Sequence, residues 1–197
     1  MKTRDTHHHG NLKTALIEWA LAQARAGRLE QASLREAARE IGVSPGAVYR
    51  HFDDREALLR TLTARGFDEL ARQFEAAMPL DKRPESAAQA RSRFVALGAA
   101  YLAFAEENYG LWRLMFGPSA MVMAAPPNRP AAFLWLRQAI VDLAATGEIS
   151  QSGPEAELFA WSAIHGLCEL LASPALGLPR PQDAAAFTCA RVIAALR

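Results

Sequence analysis

A chain of 197 residues is long enough for one compact unit or for a small domain joined to a larger one. Hydrophobic residues make up 51% of it and β-branched runs are scarce, so the composition predicts an all-α protein. Cys168 and Cys189 lack Cys-x-x-Cys spacing, which argues against a disulfide framework or a zinc site and suits a reducing cytoplasm. The longest apolar stretch, Phe94 to Ala105, is shorter than the roughly 20 residues of a membrane-spanning helix, so no membrane segment is predicted.

The net charge of +1 gives no sign of a polyanionic partner, but the charges are unevenly distributed. Residues 1–65 contain 11 Lys and Arg against 8 Asp and Glu, and the remainder contains 11 against 13. The N-terminal third is therefore the basic part of the chain, as contact with nucleic acid requires. A solvated helix surface produces the same modest bias.

The first ten residues, Met1 to Gly10, are polar and basic and predict a mobile arm. Their three adjacent histidines are not predicted to form a metal site, because a flexible arm does not preorganise a coordination sphere. Asn11 is predicted to cap the first helix, which ends at Gly27 and carries Trp19 in its core-facing side.

Capping patterns predict three further helices in close succession. These helices are Leu34 to Ile41, Pro45 to about His51, and Arg55 to Met78. The capping residues before them are Ser33, Ser44 and either Asp53 or Asp54. Glu36, three residues after Ser33, completes a capping box.

Helical periodicity resumes after a loop at Leu80 to Pro84. The predicted helices are one around Phe94 to Ala105, then Tyr109 to Phe116, Ala131 to Ala145, Pro154 to Ala172 and Gln182 to Leu196. The stretch Gly117 to Pro130 holds four prolines and predicts a loop. About nine helices result, divided between an N-terminal domain of residues 1–53 and a C-terminal domain of residues 54–197.

The segment Leu34 to Phe52 has the spacing of a helix-turn-helix. Small Ala38 lets the two helices approach, Gly42 permits the turn, and Ile41 and Val48 fill the wedge between the helices. An ordinary helical hairpin has a similar glycine turn and alanine seam, so both interpretations stay open on this segment alone. In a helix-turn-helix, the second helix would present its N-terminal part to the major groove of DNA. The presented residues are Ser44, Pro45, Gly46, Ala47, Tyr49 and Arg50.

The continuation Tyr49-Arg50-His51-Phe52, followed by Arg55-Glu56-Ala57-Leu58, resembles the TetR family of regulators. In that family the recognition helix ends in a Tyr-x-His-Phe run, and the next helix opens with Lys followed by Glu-Ala-Leu. The segment Leu34 to Gly46 is also similar to the family, and His8 to Leu12 resembles a lead-in of one branch. The resemblance covers about the first 60 residues. It implies a three-helix DNA-binding domain joined to a larger helical body for ligand binding and dimerisation.

The resemblance also implies roles for individual side chains. Tyr49 and His51 are expected to contact phosphates, as is Arg55 at a helix N-terminus whose backbone amides face the anion. Arginine in place of the usual lysine at position 55 keeps the charge but replaces a point charge by a planar fork.

Base readout has two candidates in the recognition helix. Arg50 has the reach for a bidentate contact with guanine, and Ala47 is placed to meet a thymine methyl group. A solvated or phosphate-bound Arg50 is equally compatible with the sequence. Phe52 is expected to pack inside.

The body is rich in bulky apolar residues, which suit either a core or a cavity for an apolar or aromatic ligand. In the family a pocket lies among the middle helices. The pocket candidates are Phe67, Tyr101, Phe104, Trp112, Met115, Phe116, Phe133, Trp161 and His165. The segment from Trp161 to Gly166 resembles the Trp-x-x-x-His-Gly signature of one class of TetR C-terminal domain. A core histidine satisfied by a neighbouring carbonyl or carboxylate is the alternative interpretation of His165.

The last two predicted helices carry residues at helical spacing that suit a subunit interface. They are Leu158, Trp161, His165, Cys168, Phe187, Ala190 and Ala194. In the family such a pair meets its two-fold mate as a four-helix bundle, so a homodimer is expected. Two recognition helices about 34 Å apart would then read successive major grooves of a pseudopalindromic operator. The function implied is a DNA-binding transcriptional regulator, a repressor released from double-stranded operator DNA by a small-molecule effector.

Two other function classes are compatible with parts of the sequence. One is an enzyme with Cys168 as nucleophile and His165 as base, although no orienting group or oxyanion motif accompanies them. The other is a helical small-molecule-binding or interaction module without DNA binding. A module of this kind would be expected to lose basic groups from its N-terminal part, whereas this chain retains arginines there. The sequence therefore predicts a cytoplasmic regulator without enzymatic activity, cofactor or metal site. It leaves open the effector, the operator and the choice between repression and activation.

Overall fold

The computed structural model describes residues 9–117, 132–172 and 183–197, and every regular element in these ranges is an α-helix. In chain order the described helices are α1 His9–Arg25, α2 Leu34–Ile41, α3 Pro45–Tyr49, α4 Arg55–Ala77, α5 Ala87–Glu107, α6 Tyr109–Phe116, α7 Ala132–Ala145, α8 Pro154–Leu171 and α9 Ala184–Leu196. The all-α prediction is confirmed. No helix within the described ranges combines the length and the apolar character needed to cross a membrane.

The chain forms two compact units. Among the described residues, the first unit contains 9–66 and 108–117, and the second contains 67–107, 132–172 and 183–197. The boundary between these units within α4 follows Gly66 and differs from the predicted boundary at residue 53, because α6 packs against α1 and against the middle of α4 at Gly66. Most of the predicted N-terminal arm and of the predicted proline-containing loop lies outside the described residues.

Local capping starts α2 and α4. The Ser33 hydroxyl accepts a hydrogen bond from the backbone N–H of Glu36 at 3.1 Å. At the other end of α2, Gly42 has φ of 80°, a left-handed conformation that a side chain makes costly. The carboxylate of Asp54 accepts from the backbone N–H of Ala57 at 2.6 Å and so caps α4. The predicted signals at Ser33 and Gly42 are confirmed, and of the two candidate caps of α4 the structure shows Asp54.

Several predictions in the first unit are wrong in detail, among them the side-chain cap at Ser44, whose hydroxyl makes no capping hydrogen bond. α1 begins at His9 rather than after Asn11, and α3 ends at Tyr49 rather than at about His51. Trp19 is only half-buried, because its indole Nε1 donates to a carboxylate oxygen of Glu40 at 2.6 Å and a polar N–H needs such a partner.

The helix-turn-helix core follows the predicted packing at Ala38, Val48 and Phe52. Ala38 and Val48 are at most 1% exposed, and Phe52 is 4% exposed, so the two helices meet over small and branched side chains. Ile41 is half-buried and fills less of the wedge than predicted. α6 lies directly against α1 at Gly110, where an added Cβ would fall 1.8 Å from the carbonyl oxygen of Ala24.

α5 is the central helix of the second unit and contacts α7, α8 and α9. Its buried face includes Phe94, Leu97, Tyr101 and Phe104. Close packing of α9 on α5 depends on a glycine, since a Cβ at Gly98 would lie 2.8 Å from the sulfur of Cys189. The core of this unit also contains a carboxylate, Asp142 on α7, which is 5% exposed.

Candidate DNA-binding surface and candidate ligand site

The second helix of the helix-turn-helix, α3, presents its N-terminal part to solvent. Ser44, Pro45 and Gly46 are exposed and Ala47 is half-buried, whereas Val48 faces the core. Ser44 makes no side-chain capping bond, so its hydroxyl is not used within α3. An added Cβ at Gly46 would meet no atom within 4 Å, so packing inside the chain does not require glycine there. The small N-terminal face of α3 is therefore available for close approach by another molecule.

The C-terminal part of α3 carries the larger polar side chains. Tyr49 is 44% exposed, Arg50 is exposed and His51 is half-buried. The backbone N–H groups of His51 and Phe52 both donate to the carbonyl of Val48, at 2.9 and 3.1 Å, which turns the chain inward after α3. Phe52 is thereby buried, as predicted, while Tyr49 and Arg50 stay on the outer side.

Other basic groups lie on the same unit. Arg35 and Arg39 on α2 are both exposed, and Arg39 has only a long ion pair with Glu36, at 3.8 Å. The ammonium group of Lys13 on α1 lies 5.9 Å from the ring centroid of Phe52. Since exposed ion pairs are weak and screened by salt, these cations keep most of their attraction for an anionic partner.

Arg55 has a contact that the sequence did not predict. Its Nε donates to the carbonyl oxygen of Ala32 at 3.0 Å, and one terminal nitrogen donates to the carbonyls of Leu29 at 2.8 Å and Glu30 at 3.2 Å. The neighbouring helix N-terminus is capped by the Asp54 carboxylate, which already supplies an anion there. The arginine in place of lysine was the only signal in the sequence for such a multiple contact.

In the second unit, three of the predicted pocket residues form one hydrogen-bonded cluster. The hydroxyl of Tyr101 lies 2.8 Å from Nδ1 of His165, and Nε1 of Trp161 donates to the same hydroxyl oxygen at 3.4 Å. Phe133 extends the cluster, with its ring perpendicular to that of Trp161 and their centroids 5.1 Å apart. Nδ1 of His165 thus has the hydroxyl of a tyrosine on α5 as a hydrogen-bond partner.

The geometry of this cluster is compatible with a neutral histidine. The Tyr101 oxygen accepts from Trp161, and the Tyr101 proton can be donated to Nδ1 of His165 when the ring carries its own proton on Nε2. Burial lowers the pKa of His165 below its usual value, and the nearby Glu169 opposes this shift. The effect of burial is the larger one, and a lowered pKa favours the neutral imidazole.

A cleft with a volume of about 170 Å³ opens beside this cluster, between α7 and α8. Its walls are Phe133, Leu136, Pro154, Glu157, Leu158 and Trp161. Typical ligand sites have volumes of roughly 300–1,000 Å³, so the cleft has room for only part of a small ligand. Among the other pocket candidates, Phe104 belongs to the core of the second unit and Phe67 is half-buried there.

The remaining three candidates lie on α6 in the first unit. Trp112 and Met115 are at most 3% exposed and belong to that unit's core. Phe116 is half-buried, with its ring centroid 5.8 Å from that of Trp112. The structure therefore brings together four of the nine candidates, all in the second unit.

The arrangement around Cys168 does not favour the enzyme hypothesis. Burial raises the pKa of the Cys168 thiol to about 12, and the carboxylate of Glu106 acts in the same direction. A nucleophilic cysteine requires the opposite shift, toward the thiolate. Nδ1 of His165 is hydrogen-bonded to Tyr101, so this nitrogen does not serve as the base of a Cys–His pair.

Comparison with known proteins identifies the family. Residues 16–62 match the family model for bacterial regulatory proteins of the tetR family, and residues 94–194 match the model for a tetracyclin repressor-like C-terminal domain. The HTH-type transcriptional regulator Rv1816 of Mycobacterium tuberculosis is 32% identical over 100 residues, which is 50% of this chain and 41% of that protein. The match thus spans less than half the length of this curated relative.

Solved structures share the fold over nearly the whole chain. A protein of unknown function from Rhodococcus sp. RHA1 has a TM-score of 0.75 and 29% identity, and the alignment covers 98% of this chain and 99% of that one. A bacterial regulatory protein of the tetR family from Rhodococcus RHA1 has a TM-score of 0.66 and 21% identity, with 98% of each chain covered. Since the C-terminal family model alone covers just over half of the sequence, the chain belongs to the tetR family of bacterial regulatory proteins.

Proposed function

We propose that the chain is a transcriptional repressor that binds a pseudopalindromic operator as a homodimer and is released from it by a small-molecule effector. The observation that carries the proposal is the outward N-terminal face of α3, where Ser44, Pro45 and Gly46 are exposed above a buried Val48. Family membership supports the same function. A repressor of this kind acts in the cytoplasm, where operator DNA lies.

In the proposed complex, α3 enters the major groove with its N-terminus leading. Tyr49 and His51 contact phosphates at the edges of the groove, and Arg50 contacts either a guanine or a phosphate. Ala47 and Gly46 lie nearest the bases, where small side chains permit close approach. The exposed arginines of α2 add attraction that decreases with salt.

The proposed dimer interface is an exposed face of α8 and α9. On α8, Phe159 and Leu170 are 46% and 47% exposed, and Gly166 lies between them at helical spacing. On α9, Phe187 is 54% exposed and is followed by exposed Ala190 and Ala194. Two packed helices with large apolar side chains and small residues on one outer face suit a four-helix bundle with a second copy.

The proposed effector site is the cluster of Tyr101, Trp161, His165 and Phe133 with its adjoining cleft. Aromatic walls with a few directed polar groups suit a small apolar or aromatic molecule. Repression is relieved if the effector binds better to a conformation in which the two recognition helices no longer match successive grooves.

The DNA-binding surface is tested with the Tyr49→Ala variant and a duplex selected from a random-sequence library by the wild-type protein. Loss of a hydrogen bond to a charged phosphate is expected to weaken binding about ten- to a hundredfold. The slope of log affinity against log salt concentration should stay unchanged, because the tyrosine carries no charge. Fluorescence anisotropy across a salt series measures both quantities.

Tyr109→Ala is the matched control, because Tyr109 is 39% exposed and lies on α6 rather than on α3. It should bind the selected duplex like the wild type. Equal affinities for Tyr49→Ala and the wild type would contradict the proposed surface. Failure of the wild-type protein to enrich any duplex would instead favour a helical small-molecule-binding module without DNA binding.

The dimer is tested by placing a charge on the proposed interface. Phe187→Glu is expected to weaken self-association about a hundredfold, since a carboxylate would be buried in an apolar interface. Sedimentation velocity over a range of protein concentrations measures this change. Leu134→Glu is the control, because Leu134 is 51% exposed on α7, outside the α8 and α9 face. A monomeric wild type, or dissociation by the control variant alone, would rule out this interface.

A further inference from the structure

Arg55 joins the two ends of the helix-turn-helix. Its guanidinium binds the carbonyl of Ala32, which is 23 residues earlier in the chain and directly precedes the capping residue Ser33 of α2. Arg55 itself is the first residue of α4, six residues after the end of α3 at Tyr49. The whole helix-turn-helix therefore lies within a loop of chain that this one side chain closes.

The contact depends on the shape of the guanidinium. Nε donates to the carbonyl of Ala32 at 3.0 Å, and a terminal nitrogen donates to those of Leu29 at 2.8 Å and Glu30 at 3.2 Å, so two nitrogens of one rigid plane bind three carbonyls of the loop. The loop is also folded on itself, because the backbone N–H of Ala32 donates to the carbonyl of Leu29. A lysine has a single nitrogen on a flexible stem and cannot occupy both positions.

We infer that Arg55 is a positioning residue, which holds α2 and α3 in the orientation that DNA binding needs, and that it does not act as a phosphate ligand. The inference rests on the proposed DNA-binding function. Charged donors on three carbonyls restrain the loop that enters α2, and the orientation of α3 follows because α2 and α3 share a buried seam. Position 55 thus requires arginine for its geometry and not for its charge.

The two roles predict different results for Arg55→Lys, measured on the selected duplex across a salt series. A positioning role predicts about tenfold weaker binding for both Arg55→Lys and Arg55→Gln, with an unchanged salt slope. A phosphate contact predicts near wild-type binding for Arg55→Lys and a slope smaller by about 0.9 for Arg55→Gln. The second result would overturn the inference.

Hydrogen–deuterium exchange of the free protein gives an independent readout. Amides of residues 26–33 are expected to exchange faster in both variants than in the wild type, because the loop loses its restraint. All measurements are made well below the melting temperature of each variant. Weaker binding without faster loop exchange, or unchanged binding by both variants, would overturn the inference.

Arg60→Gln is the matched control. Arg60 lies on the same helix, is half-exposed and pairs with Glu56 at 3.2 Å, so this variant removes the same charge from α4. It should leave the loop exchange unchanged. If the wild type selects no duplex, the proposed function fails, whereas the exchange data still decide whether Arg55 restrains the loop.

Discussion

Replacing Asp142 by alanine is expected to lower the free energy of unfolding by about 3–5 kcal/mol. The Asp142 side chain is 6% exposed, and its Oδ1 accepts from the amide of Gln138 at 2.8 Å and from Arg83 at 3.3 Å. The Nε of Arg93 lies 3.8 Å from Oδ2, and the Arg93 side chain is 16% exposed. Removing the carboxylate leaves the half-buried Arg93, whose Nε is buried, without its nearby counter-charge.

A compensated variant separates the lost charge balance from the lost volume. Asp142→Leu combined with Arg93→Met removes both charges and fills the space with apolar atoms, so it should recover most of the stability lost in Asp142→Ala. Urea unfolding followed by circular dichroism measures all variants at one protein concentration, because the proposed dimerisation would make stability concentration-dependent. A loss below about 1 kcal/mol in Asp142→Ala, typical of surface sites, would refute the prediction.

Gly110→Ala is expected to destabilise the first unit by about 3 kcal/mol, at the upper end of the usual cost of overpacking. The added Cβ would lie 1.8 Å from the carbonyl oxygen of Ala24, and this neighbour is helix backbone that cannot rotate away. α6 must therefore move off α1 or bend. Thermal and urea unfolding of the variant measure the loss.

Gly46→Ala provides the comparison for Gly110→Ala. An added Cβ at Gly46 meets nothing within 4 Å, so stability should change by no more than about 0.5 kcal/mol. The same methyl group would stand on the leading face of α3, so binding to the selected duplex should weaken. Similar stability losses in both variants would contradict the packing at Gly110.

The recognition segment was the most predictable part of the candidate site. Val48 is buried while Tyr49 and Arg50 are exposed. This is the pattern predicted from one apolar and two polar residues in succession on a helix. Phe52 packs inside as expected. These outcomes depend on contacts between residues a few positions apart, for which the order of residues along the chain is sufficient.

The ligand candidates were less predictable because aromatic residues suit a core and a pocket equally well. Trp112 and Met115 proved to be core residues of the first unit, whereas Trp161 and Tyr101 share a hydrogen-bonded cluster in the second. Nothing in residue type or helical spacing distinguishes these cases. The Trp-x-x-x-His-Gly class of the C-terminal domain stays a prediction.

Asp142 illustrates what sequence patterns miss. The residue interrupts an apolar run on α7. Its charge at a core-facing position indicates a buried ion pair, but an analysis of helical periodicity considers only the apolar residues. Its arginine partners lie 59 and 49 positions earlier in the chain, at Arg83 and Arg93. A buried carboxylate is tolerated only where such partners meet it, and their meeting is decided by how the helices pack.

The sequence by itself determined the all-helical class, the cap at Ser33, a cap of α4 at either Asp53 or Asp54, the turn at Gly42 and the outward side of α3. Each of these follows from interactions within one or two helical turns, whose free energies depend on neighbouring residues alone. Only the tertiary structure decided that Arg55 donates hydrogen bonds to the loop before α2, that Trp19 donates to Glu40, and that α6 lies against α1. Such contacts join residues more than 20 positions apart, and their partners are chosen by the packing of whole helices.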